Sequence, residues 1–208
     1  MDINAPVFTV SQYQALVAAR SLGRTCGYEA SHASQVTRLA LRLFSELSSL
    51  HQLDSTGRYY LVCAGILHDI GWVEGGKNHH KTGLDIILNS ALLPLNNRER
   101  LIIGSVVRYH YAALPSPKHD HFAALQPADQ LIVLYLAALL RLADGLDRPH
   151  HLLVRDLRCE VNEGDINLSY FAPSRAKAEE KAAREKSDLL EQVYERHLSI
   201  KWLSPSHV

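Results

Sequence analysis

The chain has 208 residues, 47% hydrophobic and 21% charged, enough for one compact domain with a core and a small appendage. Lys and Arg total 22 and Asp and Glu total 22, which excludes the global basic field that draws a protein onto nucleic acid. Ordinary apolar content with zero net charge also argues against disorder. The longest apolar run, Leu131 to Leu140, stops at Arg141 and is too short to cross a bilayer. The opening MDINAPVFTV lacks the basic-then-apolar order of a signal peptide, so no membrane association is expected. Cys26, Cys63 and Cys159 lie far apart without a CxxC, as expected of reduced thiols in a cytoplasmic protein. Twelve histidines are many for this length, and histidine is both a common metal ligand and a proton carrier.

In chain order, Ser11 with Gln14 predicts a capping box and a helix ending near Gly23. A second helix is expected from about Ser31, with Val36, Leu39, Ala40, Leu43, Phe44 and Leu47 on one face. A third covers roughly Gly57 to Ile70, another Thr82 to Asn89, and the next Glu99 to Tyr111. Asp129 to Leu142 is apolar nearly all round and reads as the central buried helix. Pro94, Pro115, Pro117, Pro127 and Pro149 fall between these segments, as helix breakers should.

After His151 the period changes. Leu157, Cys159 and Val161, then Ile166, Leu168 and Tyr170, alternate with polar residues across Asn162 to Asp165, a β-hairpin pattern. Pro173 and Ser174 open a charged helix to about His197, with Leu189, Leu190, Val193 and Leu198 as its narrow apolar face. The expectation is a mainly α protein: a helical bundle over 1–151 and a small αβ tail over 152–208.

The chemical signal is His32, then Leu67-His68-Asp69-Ile70-Gly71, then His79-His80, His110 and Asp144. Each gap is about one helix plus its connection, so the side chains can converge inside a bundle. Imidazole and carboxylate together suit first-row divalent metals, and a carboxylate beside a histidine, as in Asp69, can bridge two of them. Paired metals activate a water and clamp phosphate oxygens. No set of cysteines with the spacing of structural zinc is present.

These residues resemble the signature of the HD superfamily of metal-dependent phosphohydrolases: a His (His32), a His-Asp doublet (His68-Asp69) and a distal Asp (Asp144). LVCAGILHDIGW, HHKTGLDIILNS, VVRYHYAALP and LAALLRLADGLDRPH are, further, similar to the C-terminal HD region of the exopolyphosphatase/guanosine pentaphosphatase family. The resemblance extends from about His32 to Ser169, and more weakly through the charged helix. It implies that His32, His68, Asp69 and Asp144 hold one metal. His80 and His110, with Asp69 bridging, would hold a second, with His79 competing for the place of His80. One or two divalent ions (iron, manganese, zinc or magnesium) are the implied cofactors, with Asp69 as the catalytic carboxylate. Lys81, Arg108, Arg141 and Arg148 sit beside the ligands in sequence and are candidates for gripping phosphate oxygens.

The bland readings differ. Arg141 could simply pair with Asp144 or Asp147, and Trp72, just after Gly71, reads more as core packing than as a base-stacking surface. His51, His119, His121, His150, His151, His197 and His207 read as ordinary surface or loop residues, and the tail as support or as the seam of a homodimer. The expected function is a phosphohydrolase acting on a phosphorylated small molecule, a nucleotide or polyphosphate among the candidates. Family members carry an N-terminal actin-like half for which 208 residues leave no room. That motivates an alternative, a non-catalytic regulatory HD module that binds polyphosphate or an alarmone.

Overall fold

The computed structural model describes residues 8–204; the opening residues 1–7 and His207 lie outside them. The protein is mainly α. The first helix, α1 (Val10–Thr25), is capped two residues earlier than the sequence pattern suggested. Thr9, not Ser11, accepts from the Gln12 N–H at 3.2 Å, and the Gln12 side chain accepts from the Thr9 N–H at 2.9 Å. The capping box is therefore Thr9–Gln12, and Ser11 and Gln14 lie inside the helix.

The body continues with α2 (Ala30–Glu46), the single turn α3 (Ser48–His51) and α4 (Ser55–Leu67). A 3-10 helix (Ile70–Glu74) follows, then α5 (His79–Asn89), α6 (Asn97–Tyr109) and the short α7 (Asp120–Ala123). The last helix of the body is α8 (Pro127–Gly145). Pro127 occupies the first turn of α8 rather than the connection before it, a position where its missing N–H costs nothing. As its all-round apolarity predicted, α8 is central: Val133, Leu136, Leu139, Leu140 and Leu142 are fully buried against α2, α4 and α6. Each such leucine contributes about 1.5–3 kcal/mol by leaving water. His51 is buried rather than exposed, because its Nε2 donates to the Phe44 carbonyl at 2.8 Å and its Nδ1 accepts from the Leu53 N–H.

Strands β1 (Asp156–Val161) and β2 (Asp165–Phe171) form the expected antiparallel hairpin, with Cys159 opposite Leu168. The expected single charged helix is instead two, α9 (Lys177–Glu185) and α10 (Asp188–Tyr194), broken at Lys186-Ser187. A third strand, β3 (His197–Leu203), then pairs parallel to β2, so Leu198 belongs to a strand and not to a helix face. Its Leu198 and Ile200 are buried while His197 and Lys201 face out, a period of two. The sheet lies on α2, where Arg38 and Arg42 donate to the carbonyls of Val154 and Leu157, and α9 and α10 pack on α8. One hydrophobic core runs through body and tail.

Candidate metal centre

Four histidines are locked by one nitrogen so that the other points inward. At the C-terminal ends of α4 and α6, His68 and His110 donate from Nδ1 to the carbonyls of Gly65 and Val107, at 2.9 and 2.6 Å. Both carbonyls belong to last turns, where acceptors outnumber the helical N–H groups; that of Val107 also accepts from the His110 N–H at 3.4 Å. His79, at the start of α5, donates likewise to the Gly76 carbonyl at 3.1 Å. In all three the acceptor lies three residues before the histidine. His32, in the first turn of α2, donates instead to Asp147 Oδ2 at 2.9 Å. Each acceptor can only accept, so each Nδ1 carries a proton, and Nε2 is the nitrogen that presents a lone pair whenever the ring is neutral, as metal binding requires.

Those Nε2 atoms gather in two pairs about Asp69. His32 and His68 approach each other at 3.3 Å, and Asp69 Oδ2 lies 3.7 and 3.4 Å from them. His79 and His110 also approach at 3.3 Å, with Asp69 Oδ1 at 3.6 and 3.5 Å. Asp144 Oδ1 stands 3.4 Å from His32 Nε2 and completes the first group. One carboxylate thus offers one oxygen to each pair. Two imidazole lone pairs facing at this distance repel unless a cation lies between them, and such donor sets suit a borderline divalent metal. The residues fit that group.

Of the two adjacent histidines, His79 and not His80 faces Asp69 and His110. His80 points elsewhere: its ring packs on Tyr111 and its buried Nδ1 has no partner among the described residues. Burial, reinforced by the nearby Arg108 cation, pushes the His80 imidazole down to about 4. Gly71 explains how α5 comes close enough. A Cβ there would lie 1.8 Å from the His79 carbonyl oxygen, so only glycine lets the backbones meet.

The electrostatics follow from the geometry. Burial alone would raise the Asp69 carboxyl, but His68 and His110 hold it well below the ordinary carboxylate range. Asp144 is likewise depressed against its burial, by Lys186 and then His32. Burial pulls His32 down, yet Asp144, Asp147 and Asp69 outweigh it and raise the imidazole to about 9. His68 is raised against its burial by Asp69, whereas burial wins at His110 and lowers it.

The four basic residues named from sequence are dispersed. Arg141 grips Asp188, with Nε and Nη2 donating at 2.9 and 3.1 Å, and also reaches the carbonyls of Tyr109 and Ala112. Its pairing is thus with α10, not with Asp144 or Asp147. Arg108 is buried over the Tyr109 ring with its Nη1 unpartnered among the described residues, while Lys81 and Arg148 are exposed. Trp72 is 50% exposed and stacks on His79 at 5.1 Å, covering a candidate ligand rather than filling the core.

Several site residues escaped the sequence reading. His150 is no ordinary loop residue: it stacks on His32 at 3.6 Å and its Nδ1 lies 2.6 Å from Glu29 Oε2. A cleft of about 270 Å³ opens there, lined by Gly27, Tyr28, Glu29, Asp69, Trp72 and His150. Lys186, from the tail, ion-pairs with Asp144 Oδ2. Asp147 could have been found, since it follows Asp144 by three residues, in the turn just after α8; nothing in the sequence pointed to Lys186.

Comparison with known proteins agrees with the resemblance read from the sequence. A family profile described as Ppx/GppA phosphatase, domain III, matches residues 17–191. The guanosine-5'-triphosphate,3'-diphosphate pyrophosphatase of Pseudoalteromonas atlantica is 31% identical over 144 residues, covering 68% of this chain. The matched region spans 28% of that relative. No helix among the described residues is long and apolar enough to cross a membrane.

Proposed function

The chain belongs to the Ppx/GppA phosphatase domain III family, and from that membership and the geometry of the centre we propose that it is an HD-type metal-dependent phosphohydrolase. In this reading His32, His68, Asp69 and Asp144 would hold one divalent ion, and His79 and His110, together with Asp69, would hold a second. The observation that carries it is the set of four anchored imidazoles whose free nitrogens meet in pairs on the two oxygens of one carboxylate. When bound, such ions supply Lewis-acid polarisation of phosphoryl oxygens and acidify water.

The chain's own groups do the rest. Asp147 and the carbonyls of Gly65, Gly76 and Val107 fix which histidine nitrogen faces inward. The cleft between Tyr28 and Trp72 admits a phosphate ester or anhydride to Asp69, and the half-exposed indole offers a flat face to a nucleotide-like substrate. His150, backed by Glu29, stands at the mouth, where it can hold or pass a proton. We take the partners to be phosphorylated small molecules in the cytoplasm, and the organisation to be a catalytic body over 1–151 with a supporting tail over 152–208.

A second reading has one observation in its favour. The relative named as a pyrophosphatase is matched over only 28% of its length, so this region is equally consistent with a regulatory module that binds polyphosphate or an alarmone without cleaving it. Metal content per chain by mass spectrometry, for the wild type and Asp69→Ala, separates the two when run beside a screen of phosphate esters and anhydrides. The hydrolase reading expects about two ions, lost in the variant together with turnover. It fails if reconstituted protein holds no metal, or if Asp69→Ala still hydrolyses substrate at the wild-type rate.

A further inference from the structure

Helices α1 and α2 both pack on α4, and a gap of about 220 Å³ remains between them. Tyr28, Leu41 and the buried Ile66 make its apolar wall. Its polar wall is Arg20 of α1 with Ser34, Thr37 and Arg38, which follow one face of α2. Among the described residues no acidic side chain bounds it.

The polar groups differ in what they have free. Arg38 is already engaged, donating to the Gln35 side chain and to the carbonyls of Val154 and Arg155. The Thr37 hydroxyl gives its proton to the Ala33 carbonyl at 2.7 Å. By contrast, the Arg20 and Ser34 side chains make no hydrogen bond or ion pair among the described residues. Two free donors, one of them a cation, thus share a narrow space with hydrocarbon. That combination suits a small molecule with one carboxylate and an apolar body. The carboxylate pairs bidentately with a guanidinium, and the body leaves water against Leu41 and Ile66. A phosphate chain suits it badly, because one free cation cannot compensate several charges beside an apolar wall. The volume lies below the roughly 300–1,000 Å³ of sites for drug-sized ligands, which sets the size class.

Three residues of this lining connect it with the first metal group. Ala33 follows His32 on α2, and Ile66 follows Gly65, whose carbonyl anchors His68. Tyr28 bounds both the gap and the cleft that opens on Asp69. There is no slack between the two helices here. A Cβ on Gly65 would lie 2.5 Å from Thr37 Oγ1, so a ligand that presses on α2 also moves α4.

We propose that the gap between α1 and α2 is an effector site for a small apolar monocarboxylate, whose occupancy is passed to His32 and His68. The site stands on its own lining, whereas the coupling rests on the phosphohydrolase reading for the metal group that it addresses.

The test is titration of the full-length chain with benzoate, and separately with hexanoate, followed by proton–nitrogen correlation NMR. Saturable shifts are expected at the amides of Ser34, Thr37 and Ile66. Arg20→Ala, at an exposed position, should weaken binding about tenfold, the scale of one charge-assisted hydrogen bond. Arg24→Ala, one turn further along α1 and outside the gap, should leave it unchanged. Benzamide, with the shape of benzoate but no charge, should also bind about tenfold more weakly. Tighter binding of benzoate assigns the site to aromatic acids, and tighter binding of hexanoate to aliphatic ones. Absence of saturable shifts at those amides, equal losses in Arg20→Ala and Arg24→Ala, or benzamide binding as tightly as benzoate would overturn the site. Coupling is read by chelator competition for manganese(II). Saturating acid should change the affinity of the first ion by about fivefold or more, and the ion should change that of the acid by the same factor. Binding that leaves manganese affinity unchanged overturns the coupling. A chain that binds benzoate but takes up no manganese sinks the phosphohydrolase, and the coupling with it, while the site stands.

Discussion

Asp147 accepts a hydrogen bond from His32 Nδ1 at 2.9 Å across 115 residues of sequence, and both side chains are buried. Its other oxygen accepts from the Leu152 N–H at 2.8 Å, so the carboxylate itself is held in place. Among the described residues its side chain bonds no other member of the cluster, yet it determines which nitrogen of His32 is free. A carboxylate behind a ligating imidazole both orients it and raises its basicity. Asp147→Asn keeps the shape and removes the charge. The expected result is a fall in affinity for the first ion of about 10–100-fold, read by competition with a chromophoric chelator, with the helical circular dichroism unchanged. Wild-type affinity in this variant would mean that the His32–Asp147 contact is only a packing detail.

His79 and His80 make an internal control for the second ion. His79 Nε2 faces His110 and Asp69, whereas His80 turns its ring to Tyr111. His79→Ala should therefore reduce metal content from about two ions to about one, while His80→Ala retains both. The reverse pattern would show that α5 rotates on metal binding and that His80 is the ligand.

Much of this arrangement was legible before the fold was known, and the exceptions have physical reasons. Helix-scale gaps between His32, His68, His110 and Asp144 place one side chain on each of four packed helices, which is what brings them together. The choice between His79 and His80 was not legible from periodicity, since both are buried in the first turn of α5. It is made by the Gly76 carbonyl, three residues before His79 but four before His80. The tail was misread because AKAEEKAAREK has the composition of a continuous helix. What ends α9 is tertiary: Lys186 leaves the helix and meets Asp144, 42 residues away. Strand β3 was hidden by its length and by the charged residues before it, although Leu198, Ile200 and Trp202 do alternate with polar neighbours.

The cysteines give a prediction about reactivity that does not depend on the centre. Cys63 is fully buried in α4, and burial pushes its thiol up to about 12; Cys159, in β1, is pushed up to about 12 as well, by burial and the nearby Glu46. Burial raises Cys26 too, but it lies at the exposed C-terminal end of α1. Only the thiolate reacts appreciably, and at pH 8 almost none is present at a thiol titrating near 12. Iodoacetamide on native protein should thus label Cys26 first, with Cys63 and Cys159 labelled only after denaturation, as peptide mass mapping would show. Early labelling of Cys63 would reveal that α4 opens readily in the native state.

Two glycines separate the stability of the centre from that of the tail. At Gly71 an added Cβ would meet the His79 carbonyl oxygen at 1.8 Å and the Gly83 nitrogen at 2.7 Å. Both are backbone atoms of α5, so the helix itself must move. At Gly145 the obstacle is the Ala183 Cα at 2.7 Å, which belongs to α9. Each Gly→Ala change should cost about 1–3 kcal/mol of overpacking strain, or a Tm lower by roughly 3–10 °C for a chain of this size. Their effects on metal should differ. Gly71→Ala shifts His79 away from Asp69 and is expected to lose the second ion while keeping the first, which depends on α2, α4 and α8. Gly145→Ala parts α9 from α8 and draws Lys186 from Asp144, so it should lower Tm but retain both ions. Calorimetric Tm and metal content, measured on both variants, decide the matter: a Gly71→Ala protein with wild-type Tm and two ions would show that α5 is not held against the 3-10 helix at this point.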